Sequence, residues 1–194
     1  MPANTFFKLP YYKRARIIKA AFKEFNENTL EEASINNIIN NSDIARGSFY
    51  YYFNDKEDLY FYLLERHSFN IQNKIEKLLI KYDGDLYDTY DNLFDFFIYL
   101  INNKNSYIKN IFKSMNSKIL YNLFIKDYEN NERLESLIKN RVKYNKSYIF
   151  KTLNTILSSY IIKTFYSGKS IIEIKIEFRA VLNIIMNGAL EKEN

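Results

Sequence analysis

Both prolines of the chain, Pro2 and Pro10, lie ahead of Tyr11, so from Tyr11 to Asn194 no residue lacks a backbone donor or clashes with a preceding helical turn. Glycine is equally scarce: four in 194 residues leave little material for the tight turns of a many-stranded sheet or for a glycine-rich phosphate loop. A chain punctuated this way is expected to be all-helical. With 47% hydrophobic and 26% charged residues, it has the make-up of a globular protein with a sizeable core, not of a disordered one.

Several function classes drop out on composition. The absence of cysteine removes disulfide frameworks, thiolate nucleophiles and Cys-ligated metals. Apolar runs such as Leu59–Leu64 and Phe96–Ile101 stay far below the roughly 18 consecutive positions of a membrane span, so no membrane partner is expected. Charges interrupt the first residues and no small-residue cleavage site follows an apolar stretch, so a secretory signal is not expected and the expected location is cytoplasmic. His67 is the single histidine and nothing around Ser68 resembles a nucleophile elbow. Gly168-Lys169-Ser170 ends like a phosphate loop, but Lys163 stands where the first glycine is required, so it reads as a turn. Asp127, Glu132 and Glu135 lack neighbouring His or Cys and read as a solvated face. No catalytic residue, metal site or cofactor is expected, and no constellation motivates the competing class of an all-helical enzyme.

Periodicity divides the chain into about nine or ten helices without a convincing strand. Ile17, Ile18, Ala21, Phe22 and Phe25 make one apolar stripe on a helix from about Tyr11 to Asn26. A short helix should start at the N-cap Ser34 and bury Ile35, Ile38 and Ile39, and a second short one should run from about Ala45 to Tyr51. Asn54-Asp55 caps a long fourth helix, Asp83-Gly84-Asp85 ends it, and a fifth carries Leu86 to Ile101. Apolar repeats follow at Tyr107–Met115, Ile119–Tyr128, Leu134–Ile138, Ile149–Ile161 and Ile174–Ala189.

Two short helices joined by the polar turn Asn40-Asn41-Ser42-Asp43, the second rich in small, basic and aromatic residues, describe a helix-turn-helix. The run Gly47-Ser48-Phe49-Tyr50-Tyr51-Tyr52-Phe53, followed by Asp55-Lys56-Glu57-Asp58-Leu59, resembles the DNA-binding domain of the TetR family of bacterial transcriptional regulators, in register and without a gap. Ser34, Ile35 and Ile38 also fall where that family starts and packs its second helix. There are departures: Asp43 replaces a usual turn glycine, Ala45 a usual Ser/Thr cap, Thr29 a glycine and Asn37 an acid. Asp tolerates a left-handed backbone, and Asp43 is a candidate to take over the lost capping.

Chemistry assigns roles within the motif. Arg46 offers a planar fork of donors to guanine O6/N7 or to a phosphate. Gly47 lets the backbone approach DNA closely, Ser48 can donate to a base edge or phosphate, Tyr50 and Tyr51 combine a hydroxyl with a flat face for thymine methyls, and Ala45, at the N-cap, is counted among the DNA-binding residues. Lys56 resembles the family's phosphate clamp, and Ser34 lies at a helix N-terminus suited to an anion. Phe49, Tyr52 and Phe53 should face the core. The blander reading makes the aromatic run a core stripe only, but four consecutive aromatics surround a helix and some must be exposed.

The resemblance implies an arm (1–10), a helix-turn-helix domain (11–64) and a ligand-binding and dimerisation domain (65–194). It also implies a pocket for an aromatic or amphipathic small molecule, with Arg66, Phe97, Phe112, Met115 and Tyr128 as candidates. The last two helices would form an intersubunit four-helix bundle through Leu153, Leu157, Ile161, Phe178, Leu182 and Ile185. The implied function is a homodimeric repressor on an inverted-repeat operator of double-stranded DNA, released by its ligand; the alternative is an architectural or cell-division factor of the same fold. Net charge adds little: the chain carries +5, yet residues 1–60 hold eight Lys and Arg against eight Asp and Glu, so the excess lies outside the motif. Its distribution is more telling, because six bases and no acid precede Glu24.

Overall fold

A computed structural model describes residues 2–102, 107–122, 132–139 and 142–189. Among these residues the chain is helical and has no strand. The helices are α1 (Asn4–Phe7), α2 (Tyr11–Glu27), α3 (Ile35–Ser42), α4 (Arg46–Tyr52), α5 (Lys56–Lys81) and α6 (Leu86–Asn102), then α7 (Tyr107–Lys113), α8 (Ser117–Leu120), α9 (Glu132–Leu137), α10 (Lys146–Tyr166) and α11 (Ile171–Ala189). The one helix that periodicity does not announce is α1, a single turn within the expected arm; it forms because Phe6 buries completely against the body of the protein.

Local chemistry places the boundaries. Pro10 precedes the first turn of α2, where a missing donor costs nothing. At the start of α5 the Asp55 carboxylate accepts from the Asp58 N–H (2.7 Å) while Asp58 accepts from the Asn54 N–H (3.2 Å), a reciprocal cap. The turn after α5 uses left-handed backbone at Asp83 (φ 53°) and Gly84 (φ 81°). Glycine is required there for a second reason, since a Cβ would sit 2.3 Å from the Leu137 carbonyl oxygen. Asn116 and Asn145 accept from the Ile119 and Ser147 N–H groups and so cap α8 and α10.

One continuous apolar core runs through the molecule. Ile17, Ala21, Phe25, Ile38, Phe49 and Phe53 fill its N-terminal part, and α5 carries the core onward through Leu59, Leu63, Ile75 and Leu79 to Phe94, Phe97 and Phe112. In the C-terminal bundle α6, α10 and α11 pack on one another. Two polar links fix their register. The buried Tyr90 hydroxyl donates to Asn154 Oδ1 at 2.8 Å, joining α6 to α10. Asp91, 8% exposed, accepts two bonds of 2.8 Å from Arg179 and lies 3.5 Å from Lys175, joining α6 to α11.

Burial opposes ionisation of Asp91, but the bonds from Arg179 and the charge of Lys175 outweigh it and hold the carboxyl below its ordinary value of 3.8. A depressed folded-state pKa contributes stability that is present above the ordinary value and lost as pH falls through the folded one. The expected result is an acid-induced loss of stability below about pH 4 that Asp91→Asn blunts, read from urea melts at neutral and acid pH. Parallel melts for the two proteins across that range would refute the link.

Leu153, Leu157, Ile161, Phe178 and Leu182, expected at a subunit interface, are instead at most 1% exposed within this single chain. The correction has a simple cause. Helices α10 and α11 are apolar on more than one face, and the most regular stripe packs inward against α6 and against each other. Ile185, half-buried, is at the edge of that core. Outward-facing apolar residues on α11 include Ile172 (73% exposed), Ile176 (60%) and Ile184 (71%).

Candidate nucleic-acid interface

Helices α3 and α4 form a helix-turn-helix on the platform of α2. Asp43 terminates α3 in the left-handed conformation (φ 51°, ψ 54°), which Asp adopts where glycine is more usual. Its side chain does not cap α4, whose N-cap Ala45 makes no side-chain bond. Instead Asp43 pairs with Arg16 of α2 (3.3 Å), and Arg16 also donates to the Asp43 carbonyl (3.1 Å), clamping the turn to the platform.

Helix α4 separates its residues by face. Phe49 is fully buried and Phe53, just beyond the helix, nearly so; they anchor the helix to the core. Arg46, Gly47, Tyr50 and Tyr51, at i, i+1, i+4 and i+5, share the outward face, with Ser48 and Tyr52 half-buried beside it. Arg46 is already oriented: it donates to Asn36 Oδ1 (2.9 Å) and its guanidinium lies 5.9 Å from the Tyr50 ring centroid. The result is an exposed strip of cationic and phenolic donors on a rigid helix, the chemistry that reads base edges in a major groove.

Two expected phosphate groups turn out to have structural partners. Lys56 donates to the Glu31 (2.7 Å) and Ala33 (3.0 Å) carbonyls, bracing the α2–α3 connection; an ammonium has three donors, so one remains for a phosphate. The Ser34 N–H donates to Glu24 Oε1 at 2.8 Å, which leaves the hydroxyl as the group Ser34 can offer. Lys8, Lys13, Lys19 and Lys23 are exposed on α2 and just ahead of it.

Glu24 was not among the sequence candidates. It is 4% exposed and accepts from Ser34 N–H, Asn28 Nδ2 (3.2 Å) and Asn37 Nδ2 (3.3 Å), so one carboxylate organises the start of α3 and the loop before it. The signal was present, since Glu24 falls on the buried stripe of Ile17, Ala21 and Phe25. A second set of contacts ties this loop to the C-terminal body. Asn110 of α7 points its amide nitrogen at the carbonyls of Phe25 (3.2 Å), Asn26 (2.9 Å) and Asn28 (3.3 Å), and Ser114 accepts from the Leu30 N–H at 3.2 Å. Nearby, Lys118 of α8 pairs with Glu57 of α5 at 3.1 Å.

The pocket candidates do not converge. Phe97 and Phe112 meet edge to face at 5.5 Å inside the core, and Met115 is half-buried against it. Arg66 is exposed and lies over Tyr62 of its own helix, 6.0 Å from the ring centroid. Tyr128 lies outside the described residues, as does the side chain of His67. Among the described residues no group of three or more His, Cys, Asp or Glu could hold a metal ion, and no helix is long and apolar enough to cross a membrane.

Comparison with known proteins meets this geometry at the same residues. Residues 17–63, which span most of α2 through the first turns of α5, match the family described as bacterial regulatory proteins, tetR family. None of the curated proteins matches the chain. Among solved structures it is similar to a TetR-family transcriptional regulator of Pectobacterium atrosepticum, with 13% identity over 94% of this chain and 96% of that one and a TM-score of 0.64. It is similar also to a TetR transcriptional regulator of a Rhodococcus strain (12% identity, 91% and 98% covered, TM-score 0.56) and to NemR of E. coli in its reduced form (14% identity, 90% and 96% covered, TM-score 0.56). At such identities the likeness to solved structures is one of fold, and the match to the tetR family of bacterial regulatory proteins covers the helix-turn-helix segment, residues 17–63.

Proposed function

We propose that this protein is a homodimeric, sequence-specific repressor that leaves an inverted-repeat operator when a small molecule binds its C-terminal body. The observation that carries the reading is the outward strip of Arg46, Gly47, Tyr50 and Tyr51 on a helix anchored by Phe49. Ala45 and Ser48 extend the strip, while the Ser34 hydroxyl and Lys56 sit beside it as phosphate donors. Residues 11–64 act as the reader, residues 65–194 as the sensor and dimerisation body, and α5 belongs to both. Two-fold symmetry would set the two recognition helices about one DNA turn apart, roughly 34–36 Å, so the operator has two-fold symmetry as well.

Release follows from population shift: a ligand that binds a form with differently spaced readers drains the DNA-bound form by its differential affinity. Asn110 and Ser114 supply a physical link for that shift, because a displacement of α7 pulls directly on the backbone that positions α3. The ligand contacts are proposed at Phe97 of α6, Phe112 of α7 and Met115 just beyond it, which would have to part from their present packing to admit a ligand, and the flat aromatic faces set the ligand class. The protein performs no catalysis in this reading.

The test is selection of DNA by the protein itself. From a pool of random duplexes the wild-type chain is expected to enrich an inverted repeat, and Arg46→Ala with Tyr50→Ala to bind that duplex about 100-fold more weakly, with the residual binding steeply salt-dependent. Unchanged binding by the double variant, or enrichment of sites without symmetry, overturns the repressor reading; dispersed, weakly selective sites would favour an architectural role.

A further inference from the structure

We propose that α1, outside the stretch matched to the family, is a working part of the DNA reader: it caps the C-terminal end of the recognition helix and holds it in reading position. The inference rests on the DNA-binding reading and extends it to residues 3–6. A helix leaves its last four carbonyls without internal partners, which for α4 are those of Phe49, Tyr50, Tyr51 and Tyr52. The Phe49 carbonyl accepts from the Phe53 N–H at 2.9 Å. The last two are taken from α1 and its N-cap residue: the Ala3 N–H donates to the Tyr52 carbonyl at 2.9 Å, and the Thr5 hydroxyl donates to the Tyr51 carbonyl at 2.9 Å.

These bonds are held in place by a fully buried side chain. The Phe6 ring lies 4.9 Å from that of Phe53, 6.3 Å from Tyr52 and 5.6 Å from Tyr62, so α1 is locked to the end of α4 and to α5 together. Arg14 of α2 closes the far side by donating to the Phe7 carbonyl at 2.9 Å. A helix of seven residues is far too short to persist alone, so its position depends on what grips its two ends and its buried face. Phe49 grips the face and α1 grips the end. Tyr51, whose carbonyl Thr5 holds, is itself one of the outward reading residues. The carbonyl capture therefore fixes the backbone of a residue whose side chain is proposed to meet a base, and Ala3 and Thr5 are positioning residues for it.

The experiment uses the full chain and two probes: the duplex that the wild-type chain selects from a random pool, and an unselected duplex of the same length. Ala3→Pro removes one donor without altering the backbone, since Ala3 already has φ −63°, and Thr5→Val removes the other at nearly equal shape. The double variant is expected to bind the selected duplex about ten-fold more weakly and the unselected one unchanged, while Thr5→Ser binds like wild type. If circular dichroism shows the double variant unfolded, Thr5→Val alone is expected to lose about three-fold on the selected duplex. Wild-type affinity for the selected duplex, or an equal loss on both duplexes, overturns the positioning role. A wild-type chain that enriches no duplex refutes the DNA-binding reading itself, a failure distinguishable from either of those.

Discussion

Replacing both Ile176 and Ile184 with glutamate is expected to yield a folded monomer whose affinity for the selected inverted repeat is lower by about 100-fold or more. Both side chains are mostly exposed in the single chain (60% and 71%), so the substitutions leave the core of α10 and α11 intact. They do place two charges on the exposed apolar surface of α11, one of them at the edge of a shallow groove of about 310 Å³ lined by Tyr144, Tyr148, Ile149, Thr152, Ile184 and Ile185. Contiguous apolar surface of this kind marks an association site, and burying unpaired carboxylates there opposes association strongly. The loss on DNA is large because the second half-site is then no longer held at high effective concentration. Light scattering after size-exclusion chromatography gives the mass, and gel shifts give the affinity. A double variant that keeps the dimer mass removes this face from the interface, and Leu153→Glu is no substitute test because that residue is core.

The second large effect is expected at Glu24. Glu24→Leu leaves the Ser34 N–H and the Asn28 and Asn37 amides without their acceptor in a region that is 4% exposed at the carboxylate's own position. Stranding partly buried donors costs about 1–3 kcal/mol each at most, and solvent can reach some of them, so a total of about 2–4 kcal/mol is expected. For a chain of this length that is a fall in melting temperature of roughly 5–15 °C, with loss of DNA binding close to the melting range. Glu24→Gln keeps an oxygen for the Ser34 N–H and should fall between the two. A Glu24→Leu protein that melts with the wild type would show that water satisfies those donors in the folded chain.

Much of the architecture was legible because helix formation is a local affair. The stripe at Ile17, Ala21 and Phe25, the cap at Asp55 and the stop at Gly84 lie within a few residues of the elements they control, and the helices start and end close to where those signals stand; Ser34 holds the N-cap position of α3, but its side chain makes no cap bond. The outward strip of α4 was legible for a related reason. On a helix, spacing alone puts Arg46, Gly47, Tyr50 and Tyr51 on one side, and Phe49 must then point the other way. The capping role expected of Asp43 failed because Arg16, 27 residues away in sequence, offered the carboxylate a closer partner.

Sequence periodicity established that α10 and α11 are helices and that each has apolar faces, since a 3.6-residue repeat shows itself within one segment. It could not establish which face turns inward. That choice depends on where α6 lies, and α6 is brought to both by contacts between segments far apart in the chain, such as Tyr90 with Asn154 and Asp91 with Arg179. The same holds at the other end, where Phe6 and Thr5 acquire their meaning only when α1 meets the end of α4, some 46 residues on. Local chemistry writes the helices and their faces; the partner each face meets is a property of the assembled core, because burial and hydrogen-bond satisfaction are settled by all the segments at once.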